Sequence, residues 1–518
     1  MFHIKQIHIQ NFRNIEYQTI KFSKNKTVFV GKNGSGKTII LKAIEKLINS
    51  KKIKEKDFKD KNKVLILEAI VFFNNEEIKI KIESEFDGKK VISEDNFSKE
   101  RQKFFLEKTN VIYIPSDRRI NKEKTEDGYL KLIDLILRIK ELKNKEIIEV
   151  AQKAKIKLAN LKSKDGATKT TILISLLKLY LYSTKNFKTD DFTIFLIDQP
   201  ENFLHPHAVK MIDEILQAIG EQENTKVCYA THSTDLVSNF RKGKYEIDDI
   251  IFVKNENGKS ITKKIDNSGG RFNKIMINLI FKNASIFFSD AVILVEGETE
   301  KISIPNIYEN TDLGKYCQTK CKNLSKEEKE NYFNLNYKNI SVIDVGGKGA
   351  LYDWYIFASE LFGKENTVAI IDRDENFYTD RDMIIKSIKQ IWKVGKIYEN
   401  DFRKYNWFVL DGEFENYYKV EVIREFIIKS LKKRAAKFGS KFDEKKFNQS
   451  ISNLNENLSR LKYTKKISTV YESIFNSYFR KYSKPTIAFN LSIWLCENNG
   501  YKEDLLKIFS QIIEKFDN

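Results

Sequence analysis

The chain opens on alternating apolar and polar positions. Ile4, Ile7 and Ile9 lead to Phe12-Arg13-Asn14, and a second alternating segment leads to the apolar run Thr27 to Val30. Alternation of period two predicts half-buried strands, and the continuous run predicts a strand covered on both faces. A glycine-rich turn follows, then a segment with apolar residues at Ile39, Ile40, Leu41 and Ile44 that reads as helix. Between Val64 and Ile92, short runs (Val64-Leu-Ile-Leu, Ile70-Val-Phe-Phe, Ile78-Lys-Ile-Lys-Ile) are parted by Asn/Glu and Asp-Gly turns, the pattern of an antiparallel sheet. From Gly128 to Lys162 apolar residues recur at mostly helical spacing (Leu130, Ile133, Ile136, Leu137, Leu142) in charged sequence. No heptad persists, so this stretch predicts a surface helical lobe rather than a coiled-coil arm. A helix over Thr170 to Tyr182 precedes the strand Thr193 to Ile197, and another helix precedes the strand Val227 to Ala230.

The rhythm changes after a polar stretch near Asn267 to Arg271. Strands Ala291 to Val295, Ile340 to Val345, Thr367 to Ile371 and Trp407 to Leu410 alternate with helices, one of them Leu351 to Phe362, and a polar Lys/Asn/Cys-bearing insertion parts the first two. Such alternation predicts a small parallel sheet. The expected organisation is a nucleotide-binding α/β domain over residues 1–275 with its helical lobe at about 120–185, a second α/β domain over 285–420, and a helical region over 421–518. A length of 518 residues suits two or three domains, and 41% hydrophobic with 12% aromatic residues excludes a disordered chain. No apolar run approaches the ~18 residues of a membrane span, and the N-terminus lacks a signal pattern, so a soluble cytoplasmic protein without a membrane partner is expected. Four cysteines do not make a disulfide framework, and Cys317 and Cys321, a CxxxC with no His or further Cys nearby, are not expected to bind metal.

Gly31-Lys-Asn33-Gly34-Ser35-Gly36-Lys37-Thr38 fits G-x-x-x-x-G-K-[ST] between a strand and a helix. The glycines let successive amides wrap phosphates, Lys37 neutralises β/γ charge, and Thr38 can ligate Mg²⁺. The reading is ATP. An apolar strand ending in Asp is the expected complement, and Thr193-Ile-Phe-Leu-Ile-Asp198-Gln199-Pro-Glu201 supplies it, with Asp198 toward the metal. This half resembles ABC-type ATPases. The resemblance implies a water-orienting Glu where the chain has Gln199, so hydrolysis is expected to be slow unless Glu201 substitutes. It also implies a γ-phosphate-sensing role for His232, and a signature segment, reached through a dimer, at Ser163-Lys-Asp-Gly166.

In the second half, Glu296 stands at the mouth of one apolar strand, and another delivers Asp372-Arg-Asp374. Ligands of a parallel sheet gather at the carboxyl ends of its strands, and one Glu with two Asp makes a hard-oxygen cage for Mg²⁺ or Mn²⁺. All five histidines precede residue 233, so metal-activated water rather than His-based catalysis remains open to this half.

The two halves together resemble the OLD (overcoming lysogenization defect) family, including Gabija-type defence nucleases: an ABC-like ATPase fused to a TOPRIM nuclease domain. The motifs that carry the resemblance are the P-loop, Ile197-Asp-Gln-Pro-Glu-Asn-Phe-Leu-His-Pro206, Ala230-Thr-His-Ser, Ala291 to Glu300 and Ile371-Asp-Arg-Asp374. It implies that Glu296, Glu300, Asp372 and Asp374 flank two metal ions, that Glu415 is a later acidic position, and that Lys484 lies near the leaving group. The implied activity is an ATP-gated, metal-dependent DNA endonuclease in antiviral defence, self-associating through its ATPase domain and accompanied by a helicase or other defence subunit. Two readings stay beside it: a RecF/SMC-like ATP-dependent DNA clamp without nuclease activity, and a TOPRIM ribonuclease acting on structured RNA.

Charge enters last. There are 91 Lys+Arg against 72 Asp+Glu, net +19, an excess that compositional bias alone could produce. Residues 430–518 carry 17 basic and 9 acidic residues, so this region is expected to carry DNA past an acidic site, with Lys432, Lys433, Arg434, Lys465 and Lys466 lining the path.

Overall fold

The computed structural model describes the chain except for residues 1, 25, 74–75, 89–90, 96–99, 119–126, 139–144, 161–165, 187–190, 239–249, 265–282, 318–320, 322, 374–376, 439–444, 446–483 and 517–518. Two compact units result, Met1–Gly269 with Ile280–Phe288, and Gly270–Leu279 with Ser289–Asn518.

The first unit holds two sheets. Strands β1 (Phe2–Phe12), β2 (Ile15–Lys21), β4 (Leu65–Phe73), β5 (Glu76–Phe86) and β6 (Val91–Asp95) form an antiparallel sheet in the order β2-β1-β4-β5-β6. β4 is one strand where the sequence suggests two. The alternation Leu65, Leu67, Ala69, Val71 runs through Glu68 without a slip, and all four face the core. The other sheet joins β3 (Lys26–Val30), β7 (Thr109–Ile114), β8 (Phe192–Asp198), β9 (Thr225–Thr231), β10 (Ile250–Glu256) and β11 (Lys259–Lys264) in the order β11-β10-β3-β9-β8-β7. All neighbours are parallel except the β10–β11 hairpin. β3, β8 and β9 are buried along their whole length, as their unbroken apolar sequences require. Helix Lys37–Ile48 lays Ile40, Leu41, Ile44 and Leu47 into the core that also holds Phe29, Leu196 and Cys228. The register sets Val30 beside Thr231 and Ala230 beside Asp198, so the carboxyl ends of β3, β9 and β8 open side by side. The helical lobe consists of Gly128–Arg138, Lys145–Asn160 and Gly166–Asn186.

The second unit is built on a parallel sheet of β12 (Ala291–Val295), β13 (Ile340–Asp344), β14 (Thr367–Asp372) and β15 (Trp407–Leu410), ordered β13-β12-β14-β15. Its central strands β12 and β14 end at Val295 and Asp372, which puts Glu296 beside the Asp372 loop. Helices Val420–Phe438, Lys484–Glu497 and Glu503–Lys515 contribute Ile423, Leu491, Leu495, Phe509 and Ile513 to the same core as Val295, Ile304 and Ile370, so the C-terminal helices pack with the sheet. Among the described residues, no helix is long and apolar enough to cross a membrane.

Candidate functional site

The P-loop folds as its glycines demand. Gly34 and Gly36 have φ of +77° and +107°, and a Cβ on Gly31 would stand 2.1 Å from the Val253 carbonyl oxygen. Lys37 is buried, its Nζ donating to the carbonyls of Gly31 and Lys32 at 2.7 and 2.6 Å. Burial pulls its pKa down to about 8 against the opposing pull of Asp198 and Glu201. Thr38 Oγ1 donates to Asp198 Oδ2 at 2.8 Å, joining the P-loop to the end of β8. Asn33 is exposed at the loop tip and Ser35 is buried within it.

Two carboxylates wait for a positive partner here. Burial pushes both Asp198 and Glu201 above the usual carboxylate range, and Asp198 Oδ1 and Glu201 Oε2 are buried without a hydrogen-bond partner. A magnesium-bound nucleotide fits such orphaned acceptors. The other oxygen of Glu201 accepts from Thr231 Oγ1 at 2.7 Å and from the His232 amide at 3.2 Å. His232 Nδ1 lies 3.7 Å from it. Gln199, at φ +50°, has its side-chain oxygen taken by Asn202 Nδ2 at 2.7 Å. Gly166 starts its helix against the ring of Phe203, where a Cβ would come within 2.7 Å; packing within the chain is reason enough for a glycine there, and Ser163 to Asp165 lie outside the described residues.

The sequence reading missed Arg118. It is fully buried and donates to the Asp198 carbonyl at 3.1 Å, the Gln199 carbonyl at 2.7 Å, the Pro115 carbonyl at 2.8 Å and Thr170 Oγ1 at 3.3 Å. Thr170 donates onward to the Asn202 carbonyl at 3.2 Å. One guanidinium therefore ties the acidic corner after β8 to the helix that begins at Gly166.

In the second unit, acids crowd at the carboxyl ends of β12 and β14. Glu296 Oε1 accepts from the Asp372 amide at 2.8 Å. The Asp372 carboxyl is held well above the usual range, first by burial and then by the charges of Glu296, Glu300 and Glu415. Mutual repulsion of this kind is what a divalent cation relieves, so the oxygen donors present fit Mg²⁺ or Mn²⁺. Glu415 joins this group from a single 3-10 turn, Phe414–Tyr417, and is buried. Lys348 was also missed. Its Nζ donates to the Asp372 carbonyl at 2.9 Å and pairs with Asp380 at 2.6 Å.

Asp374 lies outside the described residues, as do Lys465 and Lys466. Lys484 is the first residue of its helix and Lys432 and Lys433 are exposed, while the side chains of Lys484 and Arg434 are not described. Cys317 and Cys321, which have no His or further Cys nearby in sequence, meet a carboxylate in the fold. Their sulfurs are in bonding contact, and Cys317 Sγ lies 2.9 Å from Glu514 Oε1, a neighbour 193 residues beyond Cys321 that local spacing could not reveal.

Comparison with known proteins agrees with the two-part fold. An AAA ATPase domain matches residues 2–167, an AAA domain described as a putative AbiEii toxin of a type IV toxin–antitoxin system matches 170–238, and the TOPRIM domain of overcoming lysogenization defect protein-like chains matches 287–374. The Old nuclease of Escherichia phage P2 is 28% identical over 168 residues, 31% of this chain and 24% of that protein. The DNA replication and repair protein RecF of a Picosynechococcus strain is 39% identical over 49 residues, 10% of this chain and 13% of that protein. The chain thus aligns with a quarter or less of either relative's length. The C-terminal region of the Xanthomonas campestris OLD protein overlays at a TM-score of 0.28 and 15% identity, covering 44% of this chain and 95% of that one, too loosely to carry an argument. The chain thus carries an ATPase domain followed by an OLD-like TOPRIM domain, and over one stretch it is similar to the Old nuclease.

Proposed function

We propose that the chain is an ATP-gated, divalent-metal-dependent DNA endonuclease. The observation that carries this reading is the crowding of Glu296, Glu300 and Glu415 around Asp372, on a chain that also holds a complete P-loop and acidic strand end. The chemistry that divalent ions, two by family likeness, would supply there is an activated water and charge neutralisation at the leaving 3′ oxygen of a phosphodiester. Glu296, Glu300, Asp372 and Asp374 would hold them, with Glu415 adding negative charge nearby. Glu296 also fixes the Asp372 loop through its amide. The raised Asp372 carboxyl releases its proton as positive charge arrives, and Lys484 adds charge at the leaving group.

ATP acts more through binding than through turnover. Phosphate draws Lys37 from the loop carbonyls that now occupy it. Gln199 cannot accept a proton, and its oxygen is already engaged by Asn202. Glu201, steadied by Thr231 and the His232 amide and raised by burial above the usual carboxylate range, is the remaining base, with His232 at the γ-phosphate. A second copy of the chain closes the nucleotide site with the segment at Gly166. Family likeness suggests phage DNA as the target and a helicase or other defence subunit as companion, and the basic C-terminal helices suit a sequence-tolerant phosphate track.

The test is cleavage of supercoiled plasmid and of total RNA, side by side, in Mg²⁺ or Mn²⁺ at rising ATP. DNA nicking that is lost in Glu296→Ala and Asp372→Ala and that changes with ATP supports the proposal. RNA cleavage alone, or ATP-dependent DNA binding with no cleavage, overturns it.

A further inference from the structure

Away from both sites, three ligand-type side chains converge. Cys317 follows the 3-10 turn Leu313–Tyr316, Cys321 lies four residues on, and Glu514 comes from the last turn of helix Glu503–Lys515. Both sulfurs and a Glu514 carboxylate oxygen lie within 4.8 Å of one another. The Cys321 amide donates to Cys317 Sγ at 3.2 Å, and both cysteines are buried in the core of the second unit.

Two chemistries bring such sulfurs together, a disulfide or a shared metal, and Glu514 discriminates between them. The Glu514 oxygen, 2.9 Å from Cys317 Sγ, adds a third ligand atom beside the two sulfurs, one that a disulfide does not use. A thiophilic divalent cation uses all three groups. We propose that Cys317, Cys321 and Glu514 bind zinc, with a fourth position left for water. The spacing of four falls within the range of zinc-binding cysteine pairs, and two thiolates select zinc over the hard cations suited to the all-carboxylate cluster. Binding releases one proton from each thiol, and the Cys321 amide stabilises the thiolate so formed at Cys317.

The site does structural work. The polar insertion between β12 and β13 includes helix Lys326–Phe333, whose only fully buried residue is Phe333. A metal held by Cys317, Cys321 and Glu514 would staple this insertion to the C-terminal helix, beside the apolar contacts that Leu313, Phe333 and Leu335 make in the same core as Phe509 and Ile513.

The test uses the full chain purified without chelator or reductant. Metal analysis is expected to give about one zinc per chain. Replacement by cobalt(II) is expected to show sulfur-to-cobalt charge transfer, which a carboxylate site cannot produce. Both signals persist in Asp372→Asn and vanish in Cys321→Ser, while Glu514→Gln weakens affinity by about 10- to 100-fold. The wild-type spectrum needs no variant to fold. Reduced wild-type chain that takes up no cobalt through sulfur overturns the proposal, as does a denatured, unreduced chain that titrates two thiols where the sequence has four cysteines.

Discussion

Arg118→Ala removes a buried cation that, among the described residues, is held by three backbone carbonyls and a hydroxyl. Three carbonyls (Pro115, Asp198, Gln199) lose a donor, the Thr170 hydroxyl loses a neighbour, and Asp198 and Glu201 lose one compensating charge. Each unsatisfied buried group costs about 1–3 kcal/mol. Water entering the vacated space recovers part of that, so the expected net loss is about 3–5 kcal/mol, the range for a buried ionic contact broken on one side. Against a total of roughly 5–15 kcal/mol, the first unit becomes marginal.

The chain supplies its own control for this measurement. All four tryptophans, Trp354, Trp392, Trp407 and Trp494, belong to the second unit, so tryptophan fluorescence in a urea titration follows that unit, while circular dichroism follows both. Arg118→Ala is expected to move the non-tryptophan transition to lower urea, leave the fluorescence midpoint in place, and weaken a fluorescent ATP analogue. Arg118→Lys keeps the charge without the planar fork and falls between. A first-unit transition within about 0.5 kcal/mol of wild type, with ATP affinity intact, would refute the clamp.

Four further outcomes are expected. Gly36→Ala places a Cβ 2.0 Å from Ser260 Oγ at φ +107° and should abolish ATP binding; Gly34→Ala, strained at φ +77° but in open space, should weaken it less. Asp372 is raised in the fold, so its contribution to stability is full below the ordinary carboxylate range and lost as pH rises through the raised value. The fluorescence-detected midpoint should therefore climb as pH falls toward the ordinary carboxylate range, and saturating Mg²⁺ should flatten that slope; a midpoint independent of pH without metal contradicts it. Glu415→Gln should lower Mg²⁺ affinity of the second unit by about tenfold by calorimetry, whereas a purely helix-capping role would leave it unchanged. Lys432→Glu with Lys433→Glu should reduce the salt slope of DNA binding by about 2 if both meet phosphate, and an unchanged slope removes them from the path.

What could be read from sequence depended on how far each residue's partners lie along the chain. The P-loop is legible because its chemistry is local: glycines, Lys37 and Thr38 are consecutive and sit between one strand and one helix. Asp198 and Asp372 are legible because an apolar run ending in a carboxylate already states which end of a parallel sheet it occupies. Arg118 is invisible by the same logic. It stands 80 residues from Asp198 and binds backbone carbonyls, which have no sequence identity, so it reads as one more basic residue in a lysine-rich chain. Glu415 needed family likeness to be noticed, because only the fold brings it to Asp372. Glu514 had no signal at all, since a Glu in the last turn of an amphipathic helix is ordinary surface chemistry until two buried sulfurs are set against it. The residues that escaped reading are thus those whose role exists only in contact, with partners far along the chain. Arg118 and Lys348 add a further rule: a cation beside an acidic strand end can act by holding that strand's backbone, a role that side-chain motifs do not encode.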